Sequence, residues 1–253
     1  MLDRRPAPEP QDRCGPERRP GGCRAMARAN SMLRRLALLA LAPALMAPAA
    51  ALAAEDTNAW AGQFFTINLD KKVYVRLEAQ ERFTNDAQRL GQLLLRSLAG
   101  YRISKNVNVG LGYAYVRTDP VGPALLDEHR YYQELNVRLL TTESGLTLDS
   151  RSRLEQRTFE DRDGTSWRMR QFVQLRAPIS ANNKLVAYTE PFVDLNRTSV
   201  QRGGLSLWRN FVGVSIPLAR NAEIVPGYLN QHVFRDGDDR TDHTANINIY
   251  VTL

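Results

Sequence analysis

The sequence predicts an all-β protein, an antiparallel up-and-down transmembrane β-barrel of ten to twelve strands. Three observations predict it. The chain ends in DHTANINIYVTL, with Ala245, Ile247, Ile249, Val251 and Leu253 on one side of an extended strand and Asn246, Asn248, Tyr250 and Thr252 on the other. Period-two alternation marks a strand between two different surroundings, here lipid and a polar lumen. About eleven such runs, each long enough to cross a bilayer at a tilt, fill the chain from Thr57 onward. A secretory leader precedes them.

The leader is residues 31–54, SMLRRLALLALAPALMAPAAALAA. Arg34 and Arg35 supply the positive region, Leu36 to Met46 the apolar region, and Ala51-Leu52-Ala53 a small-x-small cleavage site. Pro43 and Pro48 interrupt the apolar run, which is short for a spanning helix. Residues 1–30 do not fit a leader. They are rich in Pro, Gly and Arg and hold both cysteines, Cys14 and Cys23. Translation is expected to start at Met26 or Met32, making residues 1–30 a mis-assigned extension and residues 55–253 the barrel domain.

Charge follows the same division. Nine of the 34 Lys/Arg and four of the 27 Asp/Glu precede Ala54, leaving 25 bases against 23 acids. A mature chain this close to neutral gives no support for a nucleic-acid partner. It also has no cysteine, which excludes disulfide and thiol chemistry.

The runs alternate in sequence order. Tyr74, Arg76, Glu78, Gln80 and Arg82 interleave with Val73, Val75, Leu77 and Ala79. Asn108, Gly110, Gly112 and Ala114 interleave with Val107, Val109, Leu111, Tyr113 and Tyr115. Arg130, Glu134 and Arg138 oppose Tyr131, Leu135 and Val137. Arg151, Arg153, Glu155 and Arg157 oppose Leu148 and Leu154, and Arg168, Arg170 and Arg176 oppose Trp167, Met169 and Val173. Tight connections at 70–72, 104–106, 142–144 and 181–183 alternate with longer ones at 118–127, 160–165, 197–204 and 235–242. That is the outer-membrane pattern of short periplasmic turns and longer external loops. Eleven runs conflict with the even strand number of bacterial barrels. Either Trp60 to Leu69 is not a full strand, or Gln88 to Ile103 hides two.

Trp60, Phe83, Tyr101, Phe159, Trp167 and Phe234 fall near run ends, where a girdle is expected. Gln133, Gln156, Gln171, Ser150 and Ser152 dilute the lipid-facing side. A soluble periplasmic β-sandwich or barrel, its polar face solvated and its role that of a binding module, is the competing reading.

The stretches LEAQERF, LLLRSLAGYRISKNVNVGLGYAY, EHRYYQELNVR, RSRLEQRTF, RMRQFVQLRAPI, YTEPFVDLN and PGYLNQ carry a resemblance. Together they resemble an uncharacterised family of Gram-negative outer-membrane proteins, domain of unknown function 2490. RSRLEQR followed a loop later by RMR is the most specific part. The resemblance implies an outer-membrane β-barrel with no established activity. The terminal Leu253 departs from the Phe with which such proteins usually end.

The inward set is expected to be Arg76, Glu78, Arg82, Arg130, Glu134, Arg138, Arg151, Arg153, Glu155, Arg157, Arg168, Arg170, Glu190, Asp194 and Glu223. Side chains inside a narrow barrel must fill the lumen and satisfy one another, and the guanidinium fork suits bridging several carboxylates. A structural, salt-bridged narrow lumen is the first expectation, and a small anion-attracting pore or transporter the second. An outer-membrane lipid hydrolase would need a Ser beside a base, and no Ser motif stands in fixed relation to His129, His232 or His243. Glu128 with His129, or His232 with Asp242 and His243, could hold a metal at a rim. No enzyme activity and no cofactor are expected. The expected partners are outer-membrane lipids and the barrel assembly machinery, with the chain a monomer in the bacterial outer membrane.

Overall fold

The computed structural model describes residues 54–253 other than 121 and 123, with side chains from residue 57. The extension and the leader, except Ala54, lie outside these residues. The described chain is all β: β1 (Ala54–Asn68), β2 (Val73–Thr84), β3 (Arg89–Arg102), β4 (Val107–Thr118), β5 (Leu126–Thr141), β6 (Thr147–Phe159), β7 (Arg162–Pro178), β8 (Lys184–Asp194), β9 (Gly204–Ala219), β10 (Ala222–Val233) and β11 (Arg240–Thr252). Each strand pairs with its sequence neighbours, and β1 pairs with β11, so the sheet closes without an edge.

The closure corrects the expectation of an even count. Ala54–Asn68 is a full strand and Arg89–Arg102 a single one, so the eleven runs are eleven strands. With an odd number, the closing pair must run parallel, and β1 meets β11 in parallel from Ala54 opposite Arg240 to Thr66 opposite Thr252. A parallel ladder is only slightly weaker per residue than an antiparallel one, so one such seam is affordable. Its lower end is fixed by Asn68 N–H to Leu253 O and Leu253 N–H to Thr66 O, both 2.8 Å.

Registers and burial together set which residues face the lumen. Ala114, Val116, Leu94, Leu98 and Leu229 on the inner face are fully buried, whereas Leu111 and Tyr131 on the outer face are more than half exposed. The alternation of the terminal strand holds: Asn246 and Asn248 are buried inward and Ile247 points outward. Two girdle assignments fail. Trp60 pairs with Arg82 and Phe159 with Glu128 and Arg162, and both rings are buried in the lumen. Phe83, Tyr101 and Trp167 are exposed on the outside.

Turns at one end share a device. Asp70 Oδ1 accepts the N–H of Lys72 and Val73, Ser104 Oγ those of Asn106 and Val107, and Ser180 Oγ that of Asn183. A short polar side chain that caps its own turn explains the D-K-K, S-K-N and S-A-N-N signals. At the other end, the expected loop at 160–165 is mostly strand. Asp161 adopts φ +59° in a tight turn and β7 begins at Arg162. Longer connections remain at 119–125, 195–203 and 234–239.

Candidate functional site: an arginine-partitioned lumen

All the residues expected inside share the inward register of β2 and β5 to β8, with Glu223 on β10. The structure joins seven of them into one chain of contacts. Arg76 of β2 reaches Glu134 of β5 at 2.7 Å, and Arg153 of β6 reaches the other Glu134 oxygen at 2.6 Å. Arg153 then lies 3.7 Å from Glu155, which accepts from Arg170 at 2.7 Å. Arg170 also donates to Glu190 at 2.9 Å, as does Arg151. The Arg153 and Glu134 side chains are essentially inaccessible. Charges so deep persist only when paired, because removing either partner leaves the other uncompensated in a low-dielectric interior.

The remaining pairs surround this chain. Glu128 holds Arg130 through both oxygens and also bonds Arg157. Glu78 bonds Arg96, Asp194 bonds Arg168, and Glu223 bonds Arg176. Arg138 pairs with Asp149 away from the central group, at the turn end. Arg82 is the exception among the expected residues: it meets no carboxylate. Its guanidinium bonds Gln80 Oε1 at 2.7 Å and Gln92 Oε1 at 2.6 Å.

Aromatic rings let so many arginines pack. Arg153 lies 4.4 Å from the Tyr132 ring, Arg151 4.4 Å from Phe172, and Arg170 4.3 Å from Phe192. A planar guanidinium stacks on a ring face while its edges donate in plane. Glycines make room for the rings. A Cβ at Gly112 would collide with the Tyr132 ring, and one at Gly100 with Tyr74. The G-L-G of β4 is thus a bed for an aromatic on the inner wall, in line with the wall-packing reading over a cofactor loop.

The lumen is a stack of three chambers. The one at the loop end has a volume of about 780 Å³, the middle one about 320 Å³ and the turn-end one about 430 Å³. Trp60, Arg82, Arg170 and Arg209 line both the first and the second. Arg76, Arg151, Phe172 and Gln174 line both the second and the third. Two arginine–aromatic partitions therefore divide the barrel. The loop at 195–203 packs at the loop end: Gln201 is buried, accepts from Arg157 and donates to Trp167 O and Asn196 O at 2.9 Å.

The sequence reading missed Arg96, Arg209, Gln201 and the Arg240–Asp242 pair, and it set Arg176 on the side of Arg168 and Arg170 without counting it in the network. Arg96 lies between the inward Leu94 and Leu98 in a strand that is apolar on both faces, so alternation gave no signal. Arg209 follows a bulge near Val193 that shifts the parity of β9.

The metal readings do not fit the strand geometry. Glu128 faces inward and its neighbour His129 outward, where it contacts Tyr113 and Glu160. Asp242 faces inward while His232 contacts Thr241 and Asp239 on the outer side. Asp239 lies in the loop above β11, and the Arg235 N–H and His232 hold its carboxyl below the usual range.

The chain is 28% identical to an uncharacterized protein of Methylorubrum extorquens over 228 residues, 87% of this chain and 99% of the relative. A NanC porin structure aligns with 70% of this chain and 85% of its own at 10% identity, TM-score 0.46. The outer-membrane protein OmpT of Vibrio cholerae aligns with 70% of this chain and 61% of its own at 15% identity, TM-score 0.38. The model of the family described as "Protein of unknown function (DUF2490)" matches residues 57–242, nearly the whole barrel, and the chain belongs to that family.

Proposed function

We propose that this protein is a monomeric, non-catalytic barrel of the bacterial outer membrane, exported by its leader and inserted among lipids by the barrel assembly machinery. Its role is structural, and its lumen is held shut by paired charges. One observation carries this reading: the seven-residue chain from Arg76 to Arg151 runs across five strands and includes residues of both partitions. Each of its three carboxylates is paired with arginine, so the closed lumen leaves no carboxylate of the chain uncompensated.

The purified barrel in planar bilayers is expected to show little or no steady conductance. In cells it should fractionate with outer membranes and resist carbonate extraction, and recovery in the soluble periplasm would reject the location. A small anion-attracting pore is the second reading. The loop-end chamber favours it, because seven arginines and only four carboxylates line that space. Steady anion-selective currents, lost when Arg151, Arg153 and Arg170 become Gln, would select it.

A further inference from the structure

We propose that the loop-end chamber binds a small oxyanion, a carboxylate or phosphate group, at Arg82, Arg209 and Trp60.

These three residues form the floor of the chamber and the roof of the one below. Arg82 is buried to about nine-tenths and has no carboxylate in ion-pair range among the described residues. Arg209 is likewise without one. Among the described residues it gives only its Nε–H, to Gln231 Oε1 at 2.8 Å, which leaves both terminal amino groups uncommitted there. The two guanidiniums lie 4.2 and 4.9 Å from the Trp60 ring centroid. Two like charges thus converge on one ring, at a cost that paired residues elsewhere in the lumen avoid. The Trp60 indole N–H is also buried without an acceptor among the described residues.

The nearby carboxylates form their ion pairs elsewhere. Glu190 sits opposite Arg209 in the β8–β9 register, but its ion pairs are with Arg151 and Arg170. Asp242 accepts from Gln231 and Arg240. What holds Arg82 and Arg209 in place is amide oxygen, from Gln80, Gln92 and Gln231. A neutral amide orients a guanidinium without cancelling its charge. That is the arrangement a site needs if its counter-charge is to arrive with a ligand. A guanidinium fork matches the paired oxygens of a carboxylate or phosphate, and the indole N–H supplies a further donor. The site borders the loop-end chamber, so it serves a ligand entering from that end whether or not the lumen conducts.

The test is calorimetric titration of the full barrel in dodecyl maltoside with inorganic phosphate and, separately, acetate, against chloride at matched ionic strength. Saturable binding of at least one is expected. It should weaken tenfold or more in Arg82→Gln or Arg209→Gln and stay unchanged in Arg138→Gln, whose partner lies at the other end. Arg209→Lys, which keeps the charge and loses the fork, should fall between. No saturable heat with either anion, or equal affinity in the double Gln variant, would overturn the site. Should the Gln variants fail to fold, a rise in the wild-type unfolding temperature with either oxyanion over chloride would uphold it, and no rise with either would overturn it. Conductance is read separately, so a barrel that binds but does not conduct keeps both proposals distinct.

Discussion

The two halves of the inner wall are built on different physics. Strands β5 to β8 present Glu128, Glu134, Arg153, Glu155, Arg170 and Glu190, and these are held by charge. Strands β9 to β11 and β1 present Phe211, Leu229, Val225, Asn246, Asn248 and Trp60, and these are held by packing and amide hydrogen bonds. Tyr188 stacks on Phe211 at 4.9 Å, and Phe64 on Tyr250 at 4.6 Å. The charged half is specific because each arginine must reach a carboxylate, and Glu128, Glu134 and Glu190 each hold two. The aromatic half is specific because its rings lie over Gly213 and Gly227, where a Cβ would strike Phe211. The parallel seam falls in the second half. There the wall depends on close backbone approach rather than on the matching of charges.

The largest expected effect is in the charged half. Arg153→Ala leaves Glu134 and Glu155 short of a partner and should cost about 3–5 kcal/mol, read as a lower urea midpoint of the barrel in liposomes. Replacing Arg153 and Glu134 together should cost clearly less than the sum of the single changes, because the two share one interaction. Strict additivity would mean that charge pairing does not hold this half.

Phe211→Ala tests the aromatic half, and about 3 kcal/mol is expected from lost burial and the cavity left behind. It should be additive with Arg153→Ala, since different forces act. A strong coupling between them would erase the contrast between the halves.

Ile249→Asp places a charge on the lipid side of the same half. It should cost up to roughly 2–4 kcal/mol, depending on depth, and block assembly. Asn248→Asp, one residue away and facing the lumen, should assemble. Equal outcomes in a heat-modifiability assay would show that the two faces are not distinct.

Gly112→Ala sharpens the comparison from the other side, where a glycine beds Tyr132 beneath Arg153. Overpacking of this kind costs about 1–3 kcal/mol, and the accompanying ring movement should also weaken the Arg153 pair. Gly112→Ala combined with Tyr132→Leu should recover part of the loss.

The smallest effect belongs to the turns, outside both halves. The Val73 and Lys72 N–H groups hold the Asp70 carboxyl below its ordinary value. A depressed carboxyl stabilises the fold at pH values above its unfolded range, and that contribution is lost as pH falls through the depressed value. Asp70→Asn should therefore lower the unfolding midpoint slightly at neutral pH and make no difference in strong acid.

Much of this was legible in the chain. The side of the wall on which Arg76, Arg130, Arg153 and Arg170 lie follows from a period of two. A strand between lipid and a polar lumen cannot hide its parity. The capped turns at Asp70, Ser104 and Ser180 follow from local chemistry within a few residues. Trp60 was misplaced because β1 reads Ala59-Trp60-Ala61-Gly62, with no alternation to set its facing. Arg96 was hidden by leucines on both sides of β3, and Arg209 by a bulge that local pattern cannot locate.

The sequence by itself thus determined the extended runs, though not how many of them are single full strands, the facing of the strongly alternating ones and the excess of arginine inside. Each rests on interactions between neighbours in the chain. Only the tertiary structure decided that β1 closes on β11 in parallel, which depends on residues nearly 190 positions apart such as Ala54 and Arg240. Only it decided which carboxylate each arginine takes, and that Arg82 and Arg209 take none. Partner choice in a lumen depends on depth, stagger and curvature, which arise when the sheet closes and are written in no single strand.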